Sequence, residues 1–228
     1  MESKQEVQIS ANAITLFTDS YEQNKQRIEK EQPEFEPISL LAEISASLKY
    51  LTNQIQNNNT SKSVIQIPNL LKPLITLGTF RIGTHLREEI DLQRIEVRSW
   101  SRQCLYYIQG QGDKQVQTEL VNNSYGRMIC ISFSTAGGKG EEYDQDIYYR
   151  LIRISRFLRQ LHEGRHYFGQ PPFQALPLLV PVSLEQIEEE GANEELEAQM
   201  KNIGYNGGIK AWANDAKAAI LNHLIHSN

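Results

Sequence analysis

Apolar residues near the N-terminus recur at the spacing of an amphipathic α-helix. Between residues 11 and 30, charged and polar side chains separate four of them, Ile14, Phe17, Tyr21 and Ile28. Pro33 is expected to end this helix, because proline cannot continue a helical hydrogen-bond ladder. A second helix is predicted to begin near Pro37, which suits a first turn, and to continue to about Gln56. This part of the chain therefore predicts a pair of helices.

The second helix carries a regular apolar seam. Its apolar positions step by three and four residues, at Leu41, Ile44, Leu48, Leu51 and Ile55. This is the heptad spacing of a helix that packs along its length against another helix. Two interpretations stay open at this point. The seam either closes an intramolecular hairpin with the first helix or joins like chains in a homo-oligomer.

A polar stretch without periodicity follows, from residue 57 to residue 63, with the sequence Asn-Asn-Asn-Thr-Ser-Lys-Ser. Such a composition is typical of a linker. We therefore predict a domain boundary here. An N-terminal helical extension, available for self-association, would cover residues 1–57, and an α+β core domain would cover residues 64–228.

The centre of the chain alternates between two kinds of side chain. Over residues 93–134 one set of alternating positions comprises Ile95, Val97, Cys104, Tyr106, Ile108, Val116, Thr118, Leu120, Ile129, Ile131 and Phe133. Alternation of this kind predicts strands, and the turns at 110–113 and 122–126 are short enough to require antiparallel neighbours. The predicted fold class is therefore α+β. It comprises the N-terminal helical pair, a central antiparallel meander of three or four strands, and C-terminal helices.

Arginine dominates the basic residues of the middle of the chain. The net charge is −5, but residues 81–166 hold 13 basic and 11 acidic side chains, whereas residues 167–228 hold 3 and 8. Of those 13 basic residues, 11 are arginine, the cation that binds phosphate or carboxylate through two parallel hydrogen bonds. Tight non-specific binding of nucleic acid needs a larger positive excess. Any such binding is expected to be local.

A helix predicted over residues 144–161 is the strongest candidate for a ligand surface. Its core face would hold Ile147, Leu151, Ile154, Leu158 and Leu161. The candidate polyanion-binding residues occupy every third position of this helix, with an aromatic residue beside them and a lysine in the preceding glycine-rich turn: Arg150, Arg153, Arg156, Arg159, Tyr149 and Lys139. The arginines would sweep a ribbon across the exposed half of the helix. They are expected either to contact nucleic acid or to pair with the acidic residues between Glu185 and Glu197.

Catalytic and metal-binding patterns do not assemble along the chain. His162 and His166 have the spacing of two zinc ligands, but Gly164 breaks the helix between them and no third ligand lies nearby. No Gly-x-Ser-x-Gly nucleophile motif occurs, and paired carboxylates such as Glu141 and Glu142 are adjacent, so they point apart on a helix. We therefore predict no catalytic residue, no metal and no cofactor.

The location is predicted from the cysteines and from the apolar runs. Cys104 and Cys130 fall in segments where any small apolar residue would serve, which favours a reducing, intracellular and cytoplasmic compartment, with virion association as a further expectation. No run approaches the ~18 apolar residues that a transmembrane helix needs. The segment from Met1 to Val7 is polar, unlike a signal peptide.

These observations favour binding or assembly over catalysis. The first hypothesis is a non-enzymatic, self-assembling structural protein of the capsid, nucleoprotein or matrix type that viruses encode, in which the arginine helix contacts single-stranded RNA or DNA. The second is a regulatory module that binds a protein or a nucleic acid. The third is a small enzyme whose phosphate-bearing substrate is held by the turn at 137–140 and by Arg150.

Overall fold

Helices make up the regular secondary structure of the chain. The computed structural model describes residues 2–28, 37–57, 60–80, 87–133, 144–167 and 169–226. Within those ranges it contains α1 (Glu2–Ile28), α2 (Ile38–Gln56), α3 (Ser61–Ile65), α4 (Leu71–Gly78), α5 (Glu88–Gln111), α6 (Lys114–Asn122), α7 (Tyr125–Phe133), α8 (Asp144–Glu163), α9 (Leu179–Glu188), α10 (Ala192–Gln199) and α11 (Gly208–His226). The helices divide into two compact units, unit 1 (Met1–Gln111) and unit 2 (Gly112–Asn228).

The predicted α+β class is wrong. Residues 93–133, expected to form an antiparallel meander, instead lie in α5, α6 and α7, and no strand occurs in the described part of the chain. The buried positions of α5 show why the alternation of side chains wrongly predicted strands. They follow helical spacing but include polar residues: Ile90, Arg94, Val97, Arg98, Ser101, Arg102, Cys104, Leu105, Ile108 and Gln109. Because three arginines occupy the inner face, the apolar residues alone show a false period of two.

The turns that were expected to join strands join helices instead. Asp113 is the N-cap of α6, and its carboxylate accepts hydrogen bonds from the backbone N–H groups of Gln115 and Val116, at 3.0 and 3.2 Å. Ser124, with φ of 65°, reverses the chain between α6 and α7. Both segments therefore act as helix boundaries.

Unit 1 is built around the apolar seam of α2. The five seam residues are 0–2% exposed, and α2 packs against α1 on one side and α5 on another. This burial fits the intramolecular interpretation of the heptad pattern, since the seam is covered within one chain. The boundary predicted at 57–63 lies inside unit 1, because α5, which follows it in sequence, packs along α2.

The buried arginines of α5 hold the end of α4. Arg98 donates from Nη1 to the carbonyl of Phe80 at 3.0 Å, and Arg102 donates from Nε to the carbonyl of Gly78 at 2.6 Å. The last carbonyl groups of a helix have no partner within it and carry partial negative charge. The guanidinium groups therefore cap the C-terminal end of α4 from the side.

Unit 2 is organised around α8, which packs against α7, α9 and α11. The acidic stretch between Glu185 and Glu197 spans two helices, α9 and α10, which are separated at Gly191 with φ of 70°. The chain between α8 and α9 folds back as a loop, held by an isolated antiparallel bridge between Arg165 and Phe173. This loop forms one wall of the cavity described next.

Candidate functional site

A cleft of about 420 Å³ opens in unit 2 beside α8 and α11. The α8–α9 loop forms its remaining wall. Its lining residues are Ile152, Ser155, Arg156, Arg159, Gln160, Glu163, Gly164, Tyr167, Gln170, Trp212 and Asp215. The cleft thus combines two arginines, two carboxylates and two aromatic rings.

Helical spacing explains why α8 supplies half of the lining. The lining positions 152, 155, 156, 159, 160 and 163 recur every three or four residues, so they form one stripe along the helix. The apolar residues at 147, 151, 154, 158 and 161 form the buried stripe that fixes α8 against its neighbours. The amphipathic pattern therefore directs the polar stripe toward the cleft.

An ion pair joins the two helical walls. Arg159 Nη2 lies 3.1 Å from Asp215 Oδ1 and 3.3 Å from Oδ2. The Arg159 side chain is 48% exposed and that of Asp215 is 35% exposed, so water weakens the pair and its contribution to stability is about 0–1 kcal/mol. Arg156, one turn earlier, is exposed at the same cleft. With Glu163 included, the formal charges of the lining residues sum to zero.

A buried arginine supports the loop that carries Tyr167 and Gln170. Arg165 is fully buried, donates to the carbonyls of Gly112 and Pro171, and places its guanidinium 4.7 Å from the ring of Phe173. Burial lowers the pKa of Arg165, and the Asp113 carboxylate opposes that shift. The guanidinium thereby ties the start of the loop to its middle, at Pro171, and to the start of unit 2, at Gly112.

Gly164 makes the sharp turn at the end of α8. Its φ is +81°, and an added Cβ would lie 2.5 Å from the carbonyl oxygen of Phe173. Only glycine fits both the left-handed conformation and the close backbone approach. The turn is what brings Tyr167 back to the mouth of the cleft.

The predicted arginine ribbon divides into different environments. Arg156 and Arg159 line the cleft, and Arg153 is half-buried on α8 outside the lining. Arg150 is 5% exposed and donates from Nη1 to the carbonyl of Ser132, so its predicted place on the exposed face is wrong. It ties α8 to α7.

Tyr149 and Lys139 complete the set of candidate polyanion-binding residues. Tyr149 is exposed, with its ring against those of Tyr148 and Tyr205. Lys139, with its glycine-rich turn, lies outside the described residues.

The expected charge pairing of α8 with the acidic helices takes another form. Arg159 pairs with α11 through Asp215, while Glu189 and Glu190 pair with Arg127 of α7. Glu197 pairs with Lys217, at 2.7 Å. The acidic residues after Glu185 therefore serve several elements of unit 2.

Sequence reasoning missed the aromatic part of the cleft. Trp212, which no motif in the sequence singles out, is half-buried and lines the cleft. Asp215, three residues later, shares its side of α11, which is the one local signal that a polar site lies there. No sequence pattern indicated that Tyr167 lines a binding site, because its position depends on the turn at Gly164.

The polar and aromatic side chains of the cleft are groups that bind ligands in other proteins. The Ser155 hydroxyl donates to the Leu151 carbonyl at 3.0 Å, within its own helix, and lacks the pairing with a base that activates a nucleophile. In the described ranges no group of three His, Cys, Asp or Glu side chains could hold a metal ion. Outside the cleft, in unit 1, burial raises the pKa of the Cys104 thiol to about 12. Guanidinium groups bind phosphate and indole and phenol rings stack on flat ligands.

None of the helices in the described residues is long and apolar enough to cross a membrane. Comparison with protein-family models, with curated proteins and with solved structures finds no match to this chain.

Proposed function

We propose that this protein is a nucleic-acid-binding module without catalytic activity, and that unit 2 holds a nucleotide of the bound strand in its cleft. One observation carries the proposal. Arg156 and Arg159 share the cleft with the rings of Trp212 and Tyr167. Cations beside exposed aromatic rings are the combination that binds the backbone and the bases of single strands.

Each part of a nucleotide has a counterpart in the lining. A guanidinium donates two parallel hydrogen bonds to a phosphate, and a base stacks on indole or phenol. The two carboxylates suit the donor groups of a base edge, such as the amino group of cytosine. The volume of about 420 Å³ falls within the range of ligand sites, roughly 300–1,000 Å³.

The balance of charge limits how strongly electrostatics contributes. Since two arginines and two carboxylates line the cleft, phosphate attraction is partly offset by Glu163 and Asp215. For two phosphate contacts on a single strand, the logarithm of the binding constant should fall with the logarithm of salt concentration with a slope of about −1.4. This modest salt dependence distinguishes the cleft from a generally basic surface.

The regulatory hypothesis now has more support than the assembly hypothesis. Self-association was one of two interpretations of the α2 seam, and unit 1 covers the five seam side chains internally. Docking a second copy there would require α1 and α5 to leave α2. The cleft needs no such rearrangement, since its arginine and tryptophan side chains already reach the surface.

Fluorescence anisotropy with a labelled twelve-nucleotide single-stranded RNA tests the proposal on the full chain. Arg156→Gln should weaken binding about five- to tenfold, because it removes one phosphate contact. The matched control is Lys210→Gln, which removes the same charge from an exposed residue about 160° around α11 from Trp212. This control should bind like the parent.

Two results would overturn the proposal. Absence of binding at low salt would exclude the nucleic-acid role. Equal losses in Arg156→Gln and Lys210→Gln would show that net charge, and not the cleft, determines the affinity.

A further inference from the structure

A second exposed aromatic surface lies in unit 2, away from the cleft lining. Tyr149 on α8 is 43% exposed and Tyr205, before α11, is 42% exposed, and their ring centroids are 6.5 Å apart. We call this pair the tyrosine platform. Tyr148 backs it, with its ring 4.5 Å from Tyr205 and 5.3 Å from Tyr149.

The backbone at and after Tyr205 has an unusual conformation. Tyr205, Asn206 and Gly207 have φ values of 50°, 55° and 77°, three consecutive residues in the left-handed region. This conformation is unfavourable for a residue with a side chain, so the surrounding contacts must maintain it. The neighbouring Tyr149 side chain raises the pKa of Tyr205.

Glycine lets the supporting ring approach the backbone of α11. A Cβ on Gly208 would lie 2.7 Å from Cε2 of Tyr148. The Tyr148 ring therefore rests on the first turn of α11 and leaves the platform rings toward solvent. Rings fixed in this way lose little conformational freedom when a flat ligand stacks on them.

The tyrosine platform is in line with the cleft along α8. Tyr149 precedes Arg156 by seven residues, which places the two about 20° apart around the helix and about 10.5 Å apart along it. Arg153 is about 60° from Arg156 on the same side. At about 3.4 Å per stacked nucleotide, the separation corresponds to three nucleotide steps.

We infer that the tyrosine platform and the cleft are two base-stacking positions on one track, which takes a single strand of at least four nucleotides. The inference rests on the proposed nucleic-acid function and specifies its ligand. One base stacks in the cleft and another on the platform. The strand between them passes Arg153 and Arg156. A duplex does not fit this track, because its bases are already stacked on one another.

A length series on the full chain tests the track. The probes are AMP and adenylate strands of two, four and eight nucleotides, with an eight-base-pair RNA duplex as the double-stranded arm. Affinity should rise at least tenfold between two and four nucleotides, change little from four to eight, and be lower for the duplex.

The outcomes separate the two proposals. If AMP binds as tightly as the octanucleotide, the track is wrong and the nucleotide-binding cleft stands. Tighter binding of the duplex than of the strand also overturns the track. If no probe binds, the proposed function itself is wrong.

A platform variant gives an independent test. Tyr149→Ala should weaken octanucleotide binding about tenfold, whereas Tyr149→Phe, which keeps the ring, should retain most of the affinity. Alanine suits the helical position, and circular dichroism establishes that the variant is folded. Tyr50→Ala, a change in unit 1, is the matched control. Parent-like octanucleotide affinity in folded Tyr149→Ala would overturn the assignment of the platform.

Discussion

At the scale of single residues, burial decides what each arginine does. Arg98, Arg102, Arg150 and Arg165 are all buried and donate to backbone carbonyls. A guanidinium has five N–H donors in a plane, so one side chain can hold several carbonyls at helix ends and loops. These arginines connect elements of the fold. Those that line the cleft, Arg156 and Arg159, are exposed.

Arg165 offers a stability prediction at this scale. Arg165→Lys should lower the free energy of unfolding by about 2–4 kcal/mol, because an ammonium group cannot reproduce the hydrogen bonds to Gly112 and Pro171 and the contact with Phe173. Urea unfolding followed by circular dichroism measures the change. Arg156→Lys, at an exposed position, should cost under about 0.5 kcal/mol. Equal stability of the two variants would contradict the structural role of Arg165.

At the scale of elements, the predictions succeeded where apolar residues alone mark the buried face. The helix predicted from Pro37 to Gln56 corresponds to α2, and that predicted over 144–161 corresponds to α8. In α5 the inner face is shared with Arg94, Arg98 and Arg102, so local hydrophobicity could not reveal the helical period. The buried carbonyls that Arg98 and Arg102 meet belong to α4 and the residues after it, which a pattern within α5 does not contain.

The sequence could likewise predict only part of the cleft. Arg156 and Arg159 could be singled out, because their repeat lies within one helix. Trp212 and Asp215 join them only because α11 packs against α8, and Tyr167 joins through the turn at Gly164. Such convergence depends on tertiary packing, so the sequence predicted one wall of the site and not the others.

Alanine substitutions at two glycines of the α8–α9 loop should destabilise the fold to different extents. Both Gly164 and Gly169 have positive φ, +81° and +84°. A Cβ at Gly164 would meet backbone atoms, whereas a Cβ at Gly169 has no atom of the described residues within 4 Å. Gly169→Ala should therefore cost about 1 kcal/mol for its backbone conformation alone. Gly164→Ala should cost about 2–4 kcal/mol, since Phe173 and Ala175 must also move.

Urea unfolding of both variants measures the two costs. The difference between them reports the close approach of the loop to α8. A Gly164→Ala variant as stable as Gly169→Ala would show that the loop does not pack as described.

At the scale of the whole molecule, the chain consists of two helical units that meet in sequence at residues 111 and 112. Unit 1 has α2 at its centre and unit 2 has α8, so each contains the neighbours that cover its own apolar helix. The polar linker at 57–63 suggested an earlier boundary, because composition reports exposure and not which helices pack together. The proposed ligand site belongs to unit 2 alone.

Hydrogen exchange on the full chain, with and without an eight-nucleotide single-stranded RNA, locates the bound strand on the protein. Exchange in the RNA complex should be slower for peptides covering residues 149–170 and 205–216, with unit 1 unchanged. Protection confined to unit 1, or no protection at RNA concentrations that saturate binding, would contradict the assignment of the cleft as the nucleic-acid site.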